Sequence, residues 1–321
     1  MVKDGLSGGK IKKVYTRKQK RMFFYVLMFA LPLLQFLFFY LYVNFNSFVI
    51  AFQEKTPKLD GLGYDIFFTT ENFKTAFEFF FSDNCGKMIL NSMQLLACQL
   101  FIVTPLALLF SFYIAKKKAG STFFRIMLYL PQVVSVIVLG LLFQYIVNEV
   151  YPYIMKEVFG KEVVGLMLSA SSYEAKFYSA LIFTVWFSFG TNVLIYTGAM
   201  SAVDQSIVES AQLDGVTSFQ EFYHIYVPMI FSTVTTFVVT GLAGIFNNQV
   251  SLHIFFANSG EVDVFGYYFY RITALNVENS AGGKMMNLNQ LAALGLIATL
   301  FLIPTTLIVR KLMNKYGPRT D

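Results

Sequence analysis

The segment Glu209-Ser-Ala-Gln-Leu-Asp-Gly-Val-Thr-Ser-Phe-Gln-Glu-Phe-Tyr-His-Ile-Tyr-Val-Pro228 is a polar, acidic island between two long apolar runs. The chain of 321 residues is 56% apolar and 18% aromatic, and only 14% of its residues are charged. A soluble domain carries about 25% charged residues. The composition therefore predicts a membrane protein, in which this island is the part best suited to water.

Six apolar runs predict membrane-spanning helices, because each is long enough for the roughly 20 residues that a spanning helix needs. No run contains Asp, Glu, Lys or Arg. The runs are residues 22–52, 88–115, 126–147, 178–202, 228–256 and 288–309. The predicted fold is therefore an all-α membrane protein with six transmembrane helices.

The distribution of Lys and Arg predicts the orientation, since basic residues favour the cytoplasmic side. If both termini are cytoplasmic, the inner segments hold 16 Lys and Arg residues and the outer segments hold 9. This predicts a basic cytoplasmic tail over residues 1–21, one transmembrane domain over 22–316 and a short tail over 317–321. Loop 203–227 is inner by this count, yet it has four acids and no Lys or Arg.

The first half of the acidic loop has the signals of a short helix. Ser206 and Glu209 have the spacing of a capping box at a helix start. Gly215 suits a position after the helix that requires a positive φ. We therefore expect a helix that ends in a bend at Gly215.

The second half of the loop predicts another short helix. Thr217 or Ser218 can cap it, and Ser218 with Glu221 has capping-box spacing. Its aromatic residues recur three to four positions apart and form one face, namely Phe219, Phe222, Tyr223 and Tyr226. Together the two helices predict a helical elbow over residues 204–228, parallel to the membrane on the cytoplasmic side.

Catalytic and nucleotide-binding signals are weak. The stretch Leu6-Ser-Gly-Gly-Lys10 lacks a strand–helix context, and the sequence has no G-x-x-x-x-G-K-[ST] phosphate loop. The two histidines, His224 and His253, have no Cys or His neighbour at metal-ligand spacing. We therefore expect a non-enzymatic chain with no metal site and no cofactor of its own.

Several polar residues lie within the apolar runs and are candidates for contacts with a neutral polar solute. Amides and hydroxyls at such positions also commonly form hydrogen bonds between helices, so both roles remain open for each of them. The candidates are Gln132, Thr184, Ser188, Asn192, Asn247 and Asn248.

The acidic loop resembles the cytoplasmic "EAA" loop of ABC importer permeases, which has the pattern EAA-x3-G-x9-I-x-LP. The match comprises Glu209-Ser-Ala211, Gly215 and the stretch Ile225-Tyr-Val-Pro228. Ser210 replaces an alanine and Val227 replaces a leucine, while Asp214 before Gly215 matches the sugar-importer version. That version often has Pro and Ala where Asp204 and Val216 stand here.

The resemblance covers residues 22–316 and includes weaker landmarks of carbohydrate-importer permeases. They are Asn91-Ser92, Leu130-Pro131, Val185-Trp186 and the outer segment from Phe255 to Gly260. The basic tail before the first span is similar to that of maltose-type and glycerol-phosphate-type permeases. The resemblance thus implies a multi-pass permease of the bacterial cell membrane.

The resemblance also implies partners and roles. The loop would dock on an ABC ATPase dimer that binds ATP and Mg²⁺, and a second related permease and an extracytoplasmic solute-binding protein would complete the importer. Membrane lipid would surround it, and nucleic acid has no role. The coupling residues would be Glu209, Ser210, Ala211, Asp214 and Gly215. Among the pathway residues, Asn248 would be the first candidate for solute contact.

Two other classes of protein remain as alternatives. An ion-coupled carrier or channel usually has a charged residue within the membrane, and the six apolar runs have none. A membrane-embedded enzyme would need paired carboxylates, a metal cluster or a nucleophile with its base, and no apolar run contains such a set.

Overall fold

The computed structural model describes residues 17–57, 64–256, 262–274 and 286–318. These residues are mostly helical, and the chain divides into two compact units, Met1–Thr69 and Thr70–Asp321. The all-α membrane fold is confirmed, apart from one two-stranded hairpin. Most of the basic tail, residues 319–321 and residues 257–260 of the outer segment lie outside the described residues.

The first unit contains one long apolar helical stretch followed by the hairpin. The stretch consists of α1 (Arg17–Gln35), a π-helical segment (Phe36–Tyr42) and α2 (Val43–Ala51). Pro32 lies inside α1, and the wider π-helical turns begin four residues after it. Strands β1 (Gln53–Pro57) and β2 (Tyr64–Phe68) pair antiparallel, with Gln53 opposite Phe68.

The described residues of the second unit form helices joined by turns and loops, without a strand. Its helices are α3 (Glu71–Phe80), α4 (Asp83–Cys98), α5 (Thr104–Ala115), α6 (Ser121–Val133), α7 (Val136–Tyr145), α8 (Tyr151–Phe159), α9 (Tyr173–Ser201), α10 (Gln205–Leu213), α11 (Ser218–Glu221), α12 (Val227–Met229), α13 (Phe231–Ala243), α14 (Leu252–Phe255), α15 (Phe265–Ala274) and α16 (Leu288–Tyr316). Three π-helical segments join neighbouring helices, at Gln99–Val103, Ile146–Val150 and Phe222–Tyr226.

Five continuous helical stretches are long and apolar enough to cross a membrane. They are Lys20–Ala51, Asp83–Ala115, Val136–Phe159, Tyr173–Ser201 and Leu288–Tyr316. A sixth candidate is the pair Ser218–Met229 and Phe231–Ala243, whose helices are bent by 64°. The expectation of six spans is therefore met if the bent pair counts as one span, and the first, second, fourth and sixth predicted runs lie at the predicted places.

The third span was predicted in the wrong place. The apolar run 126–147 is not one helix, because α6 ends at Val133 and α7 begins at Val136. Val134 between them is extended, with φ −87° and ψ 146°, three residues after Pro131. The third candidate span is Val136–Phe159. Hydropathy does not detect this break because the apolar run continues across it.

The fifth predicted span, residues 228–256, is also not one helix. Helix α13 ends at Ala243, and turns lead from there to the short helix α14. Val250 and Ser251 have positive φ values of 51° and 57°, which a continuous helix does not permit. Asn247 and Asn248 therefore lie in the turns after α13 and not inside a spanning helix.

The helices of the second unit approach closely where their residues are small. A Cβ at Gly190 on α9 would overlap with the carbonyl oxygen of Leu128 on α6. On α5, the buried hydroxyl of Ser111 donates to the carbonyl of Val193 on α9 at 2.9 Å. These contacts fix α5 and α6 against α9, which is the central helix around the sites described below.

Candidate functional site

The elbow, residues 204–228, consists of helices α10 and α11 and the π-helical segment after them. Asp204 caps α10 and accepts a hydrogen bond from the Ser206 N–H at 2.9 Å. The predicted box at Ser206 and Glu209 is therefore wrong, because the helix begins two residues earlier than the box requires. The bend at Gly215 is confirmed, since its φ is +80°.

The second helix of the elbow is capped by Thr217, one of the two residues expected. The reciprocal partner of Thr217 is Gln220, whose Oε1 accepts from the Thr217 N–H at 2.9 Å. The predicted box of Ser218 with Glu221 is therefore wrong. Glu221 is free of a capping role, and it is buried instead.

The elbow has an inner face that packs against the spans. Val208 on α10 is 0% exposed, and Tyr226 is buried in the same cluster. The cluster includes Met200 at the end of α9 and Leu108 on α5. This packing holds the elbow against the ends of two spans and fixes which of its side chains face outward.

The outer face of the elbow contains the predicted coupling residues. Glu209, Ser210, Asp214 and Gly215 are exposed, and Ala211 is half-buried. The structure thus brings all five predicted residues to one part of the elbow. Their two carboxylates lie on the surface.

Exposed apolar side chains accompany these carboxylates, and one of them, Leu213, is not among the predicted coupling residues. Leu213, at the end of α10, is 91% exposed, and Phe219 and Tyr223 are also exposed. The predicted aromatic face is divided, because Phe222 and Tyr226 instead contact Phe112 on α5. Several exposed apolar side chains on one short segment are typical of a surface that a partner covers, whereas a single one is not.

A cavity of about 450 Å³ lies between the spans of the second unit. Five of the six predicted pathway residues line it, namely Gln132, Thr184, Ser188, Asn192 and Asn248. Asn247 does not belong to this lining and is exposed. The structure therefore brings together polar residues from α6, α9 and the turn after α13.

Further polar residues of the lining were missed by the sequence reading. Gln99 is the first residue of the π-helical segment in the second span and Thr104 follows the segment, and the Thr104 hydroxyl donates to the Gln99 carbonyl at 2.8 Å. Ser92, Thr191 and Thr240 complete the polar lining. Short π-helical segments are frequent at functional sites. The sequence feature that could have indicated this part of the lining is Gln99, a polar residue within the apolar run 88–115.

Two hydroxyls of the lining satisfy their donors within their own helix, α9. Thr184 donates to the Ala180 carbonyl at 2.9 Å, and Ser188 donates to the Val185 carbonyl at 3.1 Å. A hydroxyl that donates in this way keeps lone pairs for accepting hydrogen bonds. Such groups can accept hydrogen bonds from the hydroxyls of a solute.

The side-chain amides of the lining differ in which donor or acceptor group remains available to a solute. The Asn192 Nδ2 donates to the Ser188 carbonyl at 3.2 Å, whereas the Asn248 Oδ1 accepts from the Val250 N–H at 2.8 Å. Gln132 donates to the carbonyl of Phe187. Among the described residues that line the cavity, none is charged. The chemistry suits a neutral solute with many hydroxyl groups.

A buried ion pair lies outside the candidate spans and was not predicted. The Arg271 Nη2 lies 2.6 Å from the Asp263 Oδ2, and both side chains are largely buried. The Asn91 Nδ2 donates to the Asp263 carbonyl at 2.9 Å and to the Tyr173 hydroxyl at 2.5 Å. These contacts join α4 and the start of α9 to the segment that precedes α15.

The Asp263 carboxyl has an unusual pKa, which gives a testable pH dependence. Burial raises its pKa from 3.8 to about 6, although the charge of Arg271 opposes this rise. The folded state therefore binds this proton more tightly than the unfolded state. The resulting stabilisation, on the order of 3 kcal/mol, is complete below pH 3.8 and is lost as the pH rises through about 6.

We therefore expect the thermal unfolding midpoint of the purified protein to rise as the pH falls from 7.5 to 5. Asp263→Asn removes the titrating group and should make this part of the pH profile flatter. Because the variant also leaves Arg271 unpaired, the slopes of the two profiles are compared and their absolute midpoints are not. Equal slopes for the two proteins would contradict the assignment.

No three His, Cys, Asp or Glu side chains in the described parts of the chain are placed to hold a metal ion. The chain thus combines several membrane-spanning helices, an uncharged polar cavity between them and an exposed helical elbow. These are the features of a multi-pass membrane transport protein.

Comparison with known proteins identifies the family. The chain belongs to the family of binding-protein-dependent transport system inner membrane components, whose sequence profile matches residues 104–321. It is a multi-pass protein of the cell membrane, and the resemblance to ABC importer permeases is confirmed.

Relatives in Bacillus subtilis (strain 168) are transport permeases. The polygalacturonan/rhamnogalacturonan transport system permease protein YteP is 23% identical over 305 residues, which cover 91% of this chain and 88% of YteP. The arabinooligosaccharides transport system permease protein AraP is 22% identical over 299 residues, which cover 90% of this chain and 88% of AraP.

Among solved structures, a chain of a bacterial ABC transporter that imports the acidic polysaccharide alginate has a similar fold. Its TM-score is 0.71 at 19% identity, and the match covers 94% of this chain and 98% of the other. A second structure contains the alginate transporter with its periplasmic protein bound to an alginate pentasaccharide, and its TM-score is 0.69 at 19% identity.

Proposed function

We propose that the chain is one permease subunit of an ATP-driven importer for a neutral sugar or oligosaccharide. The observation that carries the proposal is the elbow, which is packed on the spans by its inner face and exposes carboxylates and Leu213 on its outer face. Such a surface suits a docking partner, and the chain has no nucleotide-binding loop that could supply energy.

In this proposal an ABC ATPase dimer binds ATP and Mg²⁺, and one of its subunits receives the elbow. Glu209 and Asp214 make polar contacts, Gly215 provides the bend, and Leu213 fills an apolar pocket of the ATPase. Ser210 and Ala211 lie beside these contacts and complete the docking surface. Both chain termini are then on the cytoplasmic side with the elbow.

The other partners in this proposal are those expected of the family. A second, related permease supplies the opposite wall of the pathway, and an extracytoplasmic binding protein delivers the solute. Closure of the ATPases moves the elbow, and the helices alternate between inward-facing and outward-facing arrangements as nearly rigid bodies. ATP hydrolysis takes place in the ATPase and not in this chain.

The substrate class in this proposal rests on the cavity. Its lining offers hydroxyls and amides without a charged side chain among the described residues, and Phe187 can stack on a sugar ring. An acidic sugar would lose its hydration there without gaining a cation, and transfer of an unpaired charge from water is costly. An ion-coupled carrier is disfavoured because the described lining has no charged group to bind the ion.

Co-purification tests the proposal. A tagged copy of the chain, expressed in its own host and extracted in mild detergent, should be isolated with an ABC ATPase and a second permease. Solute-stimulated ATP hydrolysis by that complex would support the assignment. Isolation of the folded chain alone, with transport driven by an ion gradient, would contradict it.

Asn248→Ala tests the solute contact within the cavity. We expect transport to weaken by about tenfold, since one hydrogen bond to the solute is worth about 1 kcal/mol and its loss leaves a donor of the solute unpaired. The complex should still assemble. Asn247→Ala is the matched control, because Asn247 is the neighbouring residue outside the lining. Unchanged transport kinetics in Asn248→Ala would assign Asn248 to the turn alone.

A further inference from the structure

Glu221 forms a buried ion pair that joins the elbow to the second span. The Lys116 Nζ lies 2.5 Å from the Glu221 Oε1, and these side chains are 15% and 2% exposed. Lys116 is the C-cap residue directly after α5, and Glu221 is the last residue of α11. The pair therefore links segments that are 105 residues apart in the chain.

An aromatic contact lies beside the ion pair and links the same two elements. Phe112, one turn before Lys116 on α5, has its ring centroid 5.3 Å from that of Phe222 and 5.1 Å from that of Tyr226. The end of the second span is thus held to the elbow by a charged contact and an apolar contact on one face.

The charges of the two loops explain why the pair forms between them. Loop 203–227 has no Lys or Arg, so a buried carboxylate within it needs a cation from elsewhere. Loop 116–125 has four basic residues and no acids. Lys116 of loop 116–125 supplies the cation for Glu221. This cation allows loop 203–227 to bury the Glu221 carboxylate.

Chain connectivity shows what the pair adds. The elbow is connected through the backbone to α9 on one side and to α13 on the other, so a movement of the elbow acts directly on these two helices. The second span is connected to the elbow only through side chains, yet it supplies Gln99 and Thr104 to the cavity. The packing of α5 on α9 and on the elbow already links this wall of the cavity to the elbow, and the ion pair adds a direct charged contact to that packing.

We propose that the Lys116–Glu221 pair is a positioning contact that stays closed through the transport cycle. It makes the elbow and the second span one rigid body, so that an ATPase that moves the elbow also moves this wall of the cavity. The inference rests on the proposed function, because it requires a partner that moves the elbow.

Glu221→Gln tests the contact with the least disturbance, since it removes the charge and keeps the shape of the side chain. We expect the complex to assemble and to hydrolyse ATP, while the solute moved per ATP falls about tenfold, as expected for loss of a charge-assisted hydrogen bond. Lys116→Arg should retain coupling. Lys118→Met, which removes an exposed charge of the same loop, is the control and should behave as wild type.

A cross-link tests the rigid-body claim independently of that variant. Lys116→Cys with Glu221→Cys removes both charges together, so no buried charge is left unpaired. Cys85 and Cys98 are replaced by alanine, and this background is first shown to transport normally. A short bifunctional maleimide that joins the two new cysteines should restore the solute moved per ATP to the background level.

The outcomes separate this inference from the proposed function. If no ATPase co-purifies with the wild-type chain, the proposed function fails. If the ATPase is present and Glu221→Gln transports normally per ATP, the pair has no positioning role. If the cross-link stops ATP-driven transport, the pair must open during the cycle, and the rigid-body claim is wrong.

Discussion

Replacement of both Glu209 and Asp214 by lysine is expected to abolish solute-stimulated ATP hydrolysis, with a loss of at least about 100-fold. Both carboxylates are exposed on the outer face of the elbow, where a docked ATPase would cover them. Reversal of charge at such an interface costs several kcal/mol for each close pair. The measurement is the ATPase rate of the reconstituted complex with and without loaded binding protein.

The fold should survive this double variant, because neither side chain is buried in the chain itself. Asp214 lies at the end of α10, where a lysine is favourable for the helix dipole. The control replaces two other exposed carboxylates, Glu78 and Glu157, by lysine. Wild-type stimulation in the elbow variant would remove the coupling role from these residues.

Gly241→Phe is expected to block the pathway and to reduce transport by at least about tenfold, equivalent to about 1.4 kcal/mol. Gly241 lines the cavity, and a Cβ there would meet only the Leu96 Cδ1 at 3.5 Å, an ordinary contact. The larger side chain must therefore extend toward the cavity. Phe is also a better helix former than Gly, so α13 should remain intact.

Transport of labelled solute and basal ATP hydrolysis are measured together for this variant. Basal hydrolysis should persist, because the elbow lies outside the cavity. Gly241→Ala is the matched control and should transport normally, since its single methyl group fits the available space. Normal transport by Gly241→Phe would show that the solute does not pass through this cavity.

The six apolar runs predicted the number of spans if the bent pair counts as one, because burial in lipid requires continuous apolar length. They did not predict where helices break inside such a run. At residues 134–135 and 244–251 the backbone leaves the helix although no charged residue interrupts the apolar run there. These breaks depend on backbone angles and on neighbouring helices, to which a hydropathy average is insensitive.

The elbow was predicted with its bend, because Gly215 is the residue type that a positive φ requires. Its helix starts were predicted less well. The spacing of Ser206 and Glu209 predicted the cap at Ser206, whereas Asp204, an equally good capping residue, caps the helix. Thr217 and Ser218 were both possible caps, and Thr217 caps the helix with Gln220 as its reciprocal partner.

Contacts between distant segments were the least predictable part of the sites. Glu221 was read as a capping residue, because its partner Lys116 is 105 residues away. The contacts of Asp263 were also not predicted, because one of its partners, Asn91 on α4, is 172 residues away. Polar residues in apolar runs were a more reliable signal, since most of those selected line the cavity.

Uptake by the purified complex in sealed vesicles is the most direct measurement of the proposed function. The vesicles contain ATP and Mg²⁺, and the loaded binding protein is added outside with a labelled neutral oligosaccharide. The sugar should accumulate only when ATP is present, and accumulation should stop when Glu209 and Asp214 are replaced by lysine. Accumulation without ATP, driven by an ion gradient through this chain alone, would contradict the proposal.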